Sequence, residues 1–222
     1  MRTTVPLFPL GTVLVPGLVM PLHIFEQRYR TLVADLMAAA EVDQRFGVIA
    51  IRSGFEVGDG AARALHEVGT LAELTAVDAL PDGRYDVSSV GTRRFRLLSV
   101  DPDSGRPGPA VPYLRGEVEV LEEPVGDTAA LLAGPVRAAF ERYRAILRGA
   151  DSVLPSDPLL LSYTVAANML LDLVDKQRLL EAADTAARLR LALRLLAREE
   201  VLLRLLRAVP ATDAARRVPG LN

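Results

Sequence analysis

The chain has 222 residues and a formal net charge of −2, with 50% hydrophobic and 24% charged residues. A chain of this length accommodates one large domain or two small ones. It contains no cysteine, which excludes disulfides, thiol nucleophiles and thiolate metal sites. Its near-neutral charge gives no general attraction to nucleic acid or anionic lipid.

Residues 3–25, TTVPLFPLGTVLVPGLVMPLHIF, form a run without a charged residue. The run exceeds the ~20 apolar residues that a membrane-spanning helix needs. Prolines interrupt it at positions 6, 9, 16 and 21. Because each proline removes a backbone donor, and because no small-x-small cleavage site follows, a membrane anchor or signal peptide fits poorly. The run instead predicts a buried pair of short strands, around Val5–Phe8 and Thr12–Val15, in a cytoplasmic protein.

The rest of the first half is typical of strands. Apolar or alternating runs predict strands at 46–52, 69–77, 83–90, 92–100 and 115–123. A Pro-Asp-Gly sequence at 81–83 predicts a turn between two of them. The Pro/Gly-rich stretch 101–112 predicts a mobile loop.

One helix is predicted to interrupt these strands after Pro21. Its apolar residues recur at helical spacing, at Tyr29, Leu32, Val33, Leu36 and Met37. Glu26 and Arg30 are spaced to form an i,i+4 ion pair on its exposed side.

The composition changes near residues 123–127, beyond which the sequence is rich in Ala, Leu and Arg. Helical periodicity predicts helices at 128–148, 157–172 and 184–208, with a shorter one at 176–182. Asp157 before Pro158, and Asp184, are the expected N-caps. Pro135 marks either the start of the first of these helices or a bend in it.

The last predicted helix has two charges within its apolar arc, Arg188 and Glu199. The favoured explanation is that each pairs with a charge on a neighbouring helix, and the alternative is a ligand-binding role. Val201 and Leu205 lie on the otherwise charged side of this helix, where they could support self-association.

The sequence contains no catalytic motif that we recognise. GxxxxGK[ST] and GxSxG are absent, and no serine lies at SxxK spacing from Lys176, the only lysine. His23 and His66 are interpreted as structural, because no nucleophile and orienting acid can be placed beside them, and no HExxH-type spacing is present. We therefore expect no catalytic residue, no metal site and no cofactor.

A basic cluster surrounds Phe95, formed by Arg93, Arg94 and Arg96. On a strand, Arg94 and Arg96 share one face while Phe95 and Leu97 share the other. This pattern predicts a half-buried strand with a solvated basic face. RNA binding is the less favoured interpretation, because no aromatic stacking platform accompanies the cluster.

The stretch PLFPLGTVLVPGLVMPLHIFEQRYR resembles the opening signature of the Lon protease N-terminal domain, also called the Lon substrate-binding domain. Further similar segments follow in order: FGVIAI, EVGDG, HEVGTLAEL, DGRYDVSSVGTRRFRL, PYLRGEVEVL and DKQRLLEAADTAARLRLALRLLAREE. The resemblance covers nearly the whole chain. Because the sequence ends at Asn222 without a Walker A loop or a Ser-Lys dyad, it resembles the stand-alone bacterial form that lacks ATPase and protease domains.

The resemblance implies an α+β fold, a PUA-like β pseudo-barrel with one inserted helix followed by a C-terminal helical bundle. The sequence itself indicates the same division into β-rich and helical halves. The expected domains are 1–123 (β-rich), 124–210 (helical) and a tail at 211–222.

The resemblance also implies a non-enzymatic module that binds unfolded or extended polypeptide, or acts as an adaptor for an ATP-dependent protease. The alternative is RNA or small-ligand binding through the PUA-like barrel. The residues expected in a binding groove are Pro21, Leu22, Phe25, Tyr29, Arg94 and Phe95. For Phe25, Tyr29 and Phe95 a purely structural role in the core is the favoured interpretation.

Overall fold

The computed structural model describes residues 1–40, 44–54, 56, 62–105, 111–147 and 153–206. The strands are β1 (Arg2–Leu10), β2 (Val19–Ile24), β3 (Arg45–Gly54), β4 (Ala62–Leu65), β5 (Val68–Ala79), β6 (Tyr85–Val100) and β7 (Arg115–Val120). The helices are α1 (Gln27–Ala38), α2 (Ala129–Ile146), α3 (Pro158–Asn168), α4 (Leu173–Glu181) and α5 (Thr185–Leu206). The expected tail at 211–222 lies outside the described residues.

The chain forms two compact units, the first combining Met1–Glu122 with Asp172–Leu180. The second combines Glu123–Leu171 with the chain from Glu181 onward. The first unit therefore contains β1 to β7, α1 and α4 except its last residue, whereas α2, α3 and α5 belong to the second. The prediction that placed the short helix at 176–182 with the helical domain is wrong, because α4 packs with the strands.

Two buried side chains hold α4 within the first unit. The Arg94 guanidinium of β6 donates to the carbonyl of Leu180 at 2.6 Å, near the C-terminus of α4. The Gln177 amide of α4 donates to the carbonyl of Val68 at the start of β5, at 2.9 Å. A cation at the carbonyl end of a helix is also favoured by the helix dipole. These contacts satisfy polar groups that burial would otherwise make costly.

The sheet of the first unit follows the order β1-β7-β6-β5-β3-β4, with β2 paired to β6. A parallel pairing of β1 with β3 joins two strands that are distant in this order, so β1, β7, β6, β5 and β3 form a closed circuit of pairings. Closing a sheet in this way removes open edges. The apolar side chains lie in two clusters, one against α1 around Phe8 and Tyr29 and one around Leu7 and Phe95.

The two segments of the uncharged run that were predicted as strands, 5–8 and 12–15, are largely buried, whereas Val19, Pro21 and His23 further along the run are exposed. The strand boundaries also differ from the prediction. Thr12–Val15 is not a strand, and β2 begins instead at Val19. Nor do the first two strands pair with each other, since β1 pairs with β7 and β3 whereas β2 pairs with β6. Val13, Leu14 and Val15 are buried in an irregular segment, where the carbonyl of Leu14 accepts from Thr70 Oγ1 at 2.7 Å. An apolar loop buried in this way cannot be told from a strand by periodicity.

Among the described residues, no helix is long and apolar enough to cross a membrane.

The two strands predicted at 83–90 and 92–100 are one continuous strand, β6, that passes through Gly91. A Cβ atom at Gly91 would lie 2.5 Å from the carbonyl oxygen of Val15, so the glycine permits a close approach of backbone rather than a turn. The turn predicted at 81–83 is confirmed, because the amide of Gly83 donates to Leu80 at 2.9 Å and Gly83 has a φ of 79°. The short strand β4 was not predicted.

The helix predicted after Pro21 is α1, although Pro21 itself lies within β2. The carboxylate of Glu26 forms an ion pair with Arg28 at 3.0 Å, whereas Arg30 was its predicted partner. Of the loop predicted at 101–112, residues 106–110 lie outside the described residues. Ser104 is buried, and its hydroxyl joins the carbonyl of Asp101 to the amide of Arg115.

In the second unit, both predicted N-caps are confirmed. Asp157 Oδ1 accepts from the amide of Leu160 at 2.8 Å, and Asp184 Oδ1 accepts from the amide of Ala187 at 2.6 Å. The helix α2 begins at Ala129 and continues through Pro135, so the alternative in which the helix starts at that proline is wrong. Gly134 precedes the proline, and its missing Cβ removes one of the clashes that disfavour helical backbone before proline.

The Phe95 ring fills the space that two glycines of neighbouring strands leave open. A Cβ at Gly47 would lie 2.9 Å from Phe95 and 3.0 Å from Leu7 Cδ2, both side chains. A Cβ at Gly69 would lie 2.5 Å from Phe95 and also 2.5 Å from the carbonyl oxygen of Val48, which is backbone. Phe95 is fully buried as a result.

These contacts predict a difference between two substitutions. Gly47→Ala and Gly69→Ala should each lower the free energy of unfolding by about 1–3 kcal/mol, as overpacking does. Adding Phe95→Leu should reduce the destabilisation caused by Gly47→Ala. It should not reduce that caused by Gly69→Ala, because the Val48 carbonyl remains beside position 69. Denaturant unfolding of the single and double variants measures this, and equal relief of both would contradict the packing described.

Two tyrosines of the first unit predict a loss of stability at high pH. Burial, as the leading cause, raises the pKa of both Tyr29 and Tyr113 to about 12, and the hydrogen bond from Tyr113 to Asp35 adds to the rise at that residue. Because the folded state holds these protons more tightly than the unfolded state, their contribution is complete below pH ~10 and disappears as pH rises towards ~12. The variant Tyr29→Phe/Tyr113→Phe should therefore show a flatter decline between pH 10 and 12 in thermal unfolding. A decline as steep as that of the unsubstituted chain would refute this.

Candidate functional site

The structure separates the residues that the sequence placed in one binding groove. Tyr29 and Phe95 are buried in the two apolar clusters, where Tyr29 stacks on Phe8 with ring centroids 4.1 Å apart. Leu22 points inward and packs against the cluster beneath α1. The structural role that was favoured for the aromatic rings therefore describes Tyr29 and Phe95.

Arg94 differs most from its prediction. It was expected on a solvated basic face together with Arg96, but it is only 2% exposed and is bound to the carbonyl of Leu180. The alternation of a strand places Arg94 and Arg96 on the same side, but Arg94 is buried and bound to α4 whereas Arg96 is exposed. The basic face predicted for this strand is therefore wrong at Arg94.

Pro21 remains exposed, and Phe25 is partly exposed. Pro21 lies in the middle of β2, opposite Ser88 of β6. Phe25 lies just beyond the end of β2 and stacks on His23 with ring centroids 6.4 Å apart. These two residues border one surface, the solvent-facing side of β2, β6 and the second half of β5.

We name this surface the outer face, and its side chains form three rows across the three strands. The first row contains Val19, Val90 and Glu73, the second Pro21, Ser88 and Ala76, and the third His23, Asp86 and Asp78. The intervening residues of β2 and β6 point into the core. Because β2 pairs only with β6 among the described residues, β2 is an edge strand, and the outer face ends there.

Apart from Glu73, the first two rows form a strip of uncharged side chains. Val19 is 60% exposed, and Pro21 and Ala76 are also exposed. Ser88 and Val90 are partly exposed between them. Neighbouring exposed apolar residues, unlike single ones, can form a patch that binds another molecule, and the strip brings several such residues together.

The third row carries the charge of the outer face. Asp78 and Asp86 lie directly opposite each other on neighbouring strands, an arrangement that is destabilising for like charges. Asp86 Oδ1 is 2.6 Å from His23 Nδ1, and Arg84 Nη1 is 3.2 Å from His23 Nε2. Both ring nitrogens of His23 thus have partners, which leaves the imidazole in structural contacts.

Arg84 also contacts the turn that joins β5 to β6. Its Nε donates to Asp82 Oδ2 at 2.6 Å, and its amide donates to Asp82 Oδ1 at 3.1 Å. The hydrogen bond from the Arg84 amide is the largest cause that lowers the pKa of Asp82 below its usual value. Asp82 therefore stays ionised beside the third row.

Within the described ranges, no group of three or more His, Asp or Glu side chains is placed to hold a metal ion. Sequence reasoning found Pro21 but missed Val19, Asp78 and the pairing of Asp86 with His23. The signal was the alternation in 19–23 and 86–90, but the register that aligns these strands was not available from the sequence.

In the second unit, Arg188 of α5 lies at the centre of a buried polar cluster. Its side chain is fully buried, Nη1 donates to Ser162 Oγ at 3.1 Å, and Cζ lies 4.1 Å from the ring centroid of Tyr163. Its Nη2 is 3.5 Å from the carboxylate of Glu123. The partner was expected on a neighbouring helix, but Glu123 lies in the irregular segment before α2.

Glu199, the second charge singled out in this helix, pairs with the adjacent Arg198 at 2.7 Å on the same helix. Its side chain is largely buried, whereas that of Arg198 is 46% exposed. Val201 and Leu205 are 55% and 74% exposed.

The Arg188 cluster predicts a large effect of removing its cation. Arg188→Met leaves Glu123 without this partner and should lower the free energy of unfolding by about 3 kcal/mol. Adding Glu123→Leu should restore part of the loss, since replacing a whole buried pair costs less than breaking it. Arg194→Met, on the exposed side of α5, is the matched control and should change stability by less than about 0.5 kcal/mol. Equal effects at positions 188 and 194 in denaturant unfolding would contradict this role.

Comparisons with known proteins agree with this architecture. The family model for the ATP-dependent protease La (LON) substrate-binding domain matches residues 4–198. The chain belongs to this family of Lon substrate-binding domains. It is 30% identical over 210 residues to the Lon protease of Anaeromyxobacter dehalogenans, covering 90% of this chain and 24% of that protein. It is 28% identical over 198 residues to the Lon protease of Escherichia coli K12, covering 85% of this chain and 24% of that protein.

The chain thus spans about a quarter of the length of these curated relatives. Among solved structures, the Lon N-terminal domain protein from Xanthomonas campestris matches with a TM-score of 0.60 and 28% identity, covering 88% of this chain and 98% of that one. The N-terminal domain of Mycobacterium avium complex Lon protease matches with a TM-score of 0.59 and 21% identity, covering 88% of this chain and 98% of that one, a likeness of fold. The mixed helix and strand fold is therefore that of Lon N-terminal domains.

Proposed function

We propose that this chain is a non-catalytic recognition module that binds extended polypeptide segments through the outer face. The observation that carries the proposal is the uncharged strip of Val19, Pro21 and Ala76, exposed at the side of the sheet in a member of a substrate-binding family. Membership supports protein substrates as the ligand class, and the strip supplies apolar area on which such a segment can rest.

The side chains of the face, rather than the edge of β2, are the proposed contact. A proline on an edge strand is one means by which proteins resist addition of a further strand, because it has no backbone donor. Pro21 occupies the middle of the six-residue strand β2. A bound segment would thus lie across the rows and be held by its side chains, which favours recognition of many sequences with moderate affinity.

The wider setting belongs to the same proposal. The unit with the closed circuit of pairings is assigned a PUA-like pseudo-barrel architecture, and the protein a cytoplasmic location. The clients of the protein would be unfolded or extended polypeptides, and an ATP-dependent protease would be the partner that receives them. Self-association would use Val201 and Leu205 of α5.

RNA binding through the strand around Phe95 has less support. Arg94 is buried, which leaves Arg93 and Arg96 as the exposed cations of that cluster. Stacking platforms for bases require exposed aromatic rings, whereas Phe95 is fully buried.

Charge introduced into the uncharged strip tests the proposal. Val19→Asp should weaken binding of a fluorescently labelled unfolded casein by about tenfold, because a carboxylate would have to be desolvated against the bound segment. Leu131→Asp on α2 is the control, since Leu131 is 76% exposed and lies in the second unit. Fluorescence anisotropy measures both affinities, and circular dichroism checks that both variants are folded. Wild-type affinity in Val19→Asp would exclude the outer face.

A further inference from the structure

We propose that the segment bound at the outer face carries a basic residue, arginine or lysine, four positions from an apolar residue. This inference rests on the proposed function and adds the chemical class of the segment. It is drawn from the third row, whose charges are not explained by the stability of the sheet.

The two carboxylates of the third row lie where their mutual repulsion lowers the stability of the fold. Asp78 and Asp86 are directly opposed across β5 and β6, and both are exposed. His23 Nδ1 lies 2.6 Å from Asp86 Oδ1, so one oxygen of that carboxylate has a hydrogen-bond partner. No ion pair of the described residues involves Asp78. A cation brought by a ligand would relieve this repulsion, which gives the ligand's charge a favourable site.

Charge on the rest of the face supports a positive rather than a negative ligand. Glu73 lies in the first row, opposite Arg45 of β3, so that row is nearly balanced. Asp82 beside the third row is paired with Arg84. Asp78, Asp86 and Asp82 outnumber the two nearby arginines, Arg84 and Arg30, whose guanidinium lies against Gly83 of the same turn. With His23 neutral, these five residues have a net charge of −1.

The spacing of the rows defines the spacing within the segment. Consecutive rows on β6 are two residues apart, at Val90, Ser88 and Asp86, which corresponds to about 6.6–6.8 Å per row. An extended segment places every second side chain on one side at the same interval. A segment lying along β6 therefore has an apolar residue over Val90, a small or apolar residue over Ser88 two positions away, and a basic residue over Asp86 and Asp78 four positions away.

Peptide binding to the whole chain tests this. Three labelled peptides would share the pattern Leu-Ser-Val-Ser-X within a Gly/Ser frame, with X as arginine, glutamine or glutamate. The arginine peptide should bind about three- to tenfold more tightly than the glutamine peptide, as exposed charge pairs allow. The glutamate peptide should bind most weakly, and raising the salt concentration should reduce these differences.

Substitution of Asp78 separates a binding role from a structural one. Asp78→Arg places a cation opposite Asp86, so it should leave the thermal unfolding temperature unchanged or raise it while reversing the preference towards the glutamate peptide. Asp78→Asn should abolish much of the preference for arginine without loss of stability. Glu117→Arg is the matched control, because Glu117 is an exposed carboxylate of β7 and its cross-strand neighbours are Thr4 and Ser99.

The outcomes distinguish this inference from the proposed function. Equal binding of the three peptides, with Val19→Asp weakening all of them, would overturn the inference and leave the proposed function standing. An equal change of preference in Asp78→Arg and Glu117→Arg would also overturn it, since the effect would then reflect net charge alone. If no peptide and no unfolded casein binds, both are overturned.

Discussion

The parallel pairing of β1 with β3 is the constraint on which the first unit depends. Residues 2–6 of β1 pair with β7, whereas residues 7–10 pair with β3. The strand therefore changes neighbours halfway along its length and joins two parts of the sheet that would otherwise be open edges. This accounts for the uncharged first part of the N-terminal run, because residues 5–10 of β1 are largely buried where the strand closes the circuit. It also accommodates proline, since each half of β1 has a ladder on one side only.

Local signals in the sequence predicted much of the fold. The caps at Asp157 and Asp184 and the turn at Gly83 depend on short-range hydrogen bonds, which residue type and spacing specify well. Gly91 shows the limit of such reasoning. In the sequence it looks like a break between two strands, but in the structure it admits the backbone of Val15, a residue far away along the chain.

The candidate site was predictable only in part for the same reason. Alternation placed Pro21 on a surface, but the outer face exists because three strands align in one register. Arg94 is the opposite case, because its residue type indicates solvent while α4 encloses it. Buried arginines such as Arg94 and Arg188 are stable where carbonyl, hydroxyl or carboxylate oxygens receive them. Only the tertiary structure shows which oxygens these are.

The placement of α4 has a consequence for dividing the chain. The polypeptide leaves the first unit after Glu122, returns for Asp172–Leu180 and leaves again, so the sheet receives one of its helices from the middle of the helical half. A fragment cut at the apparent boundary near residue 123 would lack the helix that encloses Arg94, and would expose a bare guanidinium and the carbonyl of Val68 to water. The smallest self-sufficient form of the sheet unit is therefore not a continuous stretch of sequence.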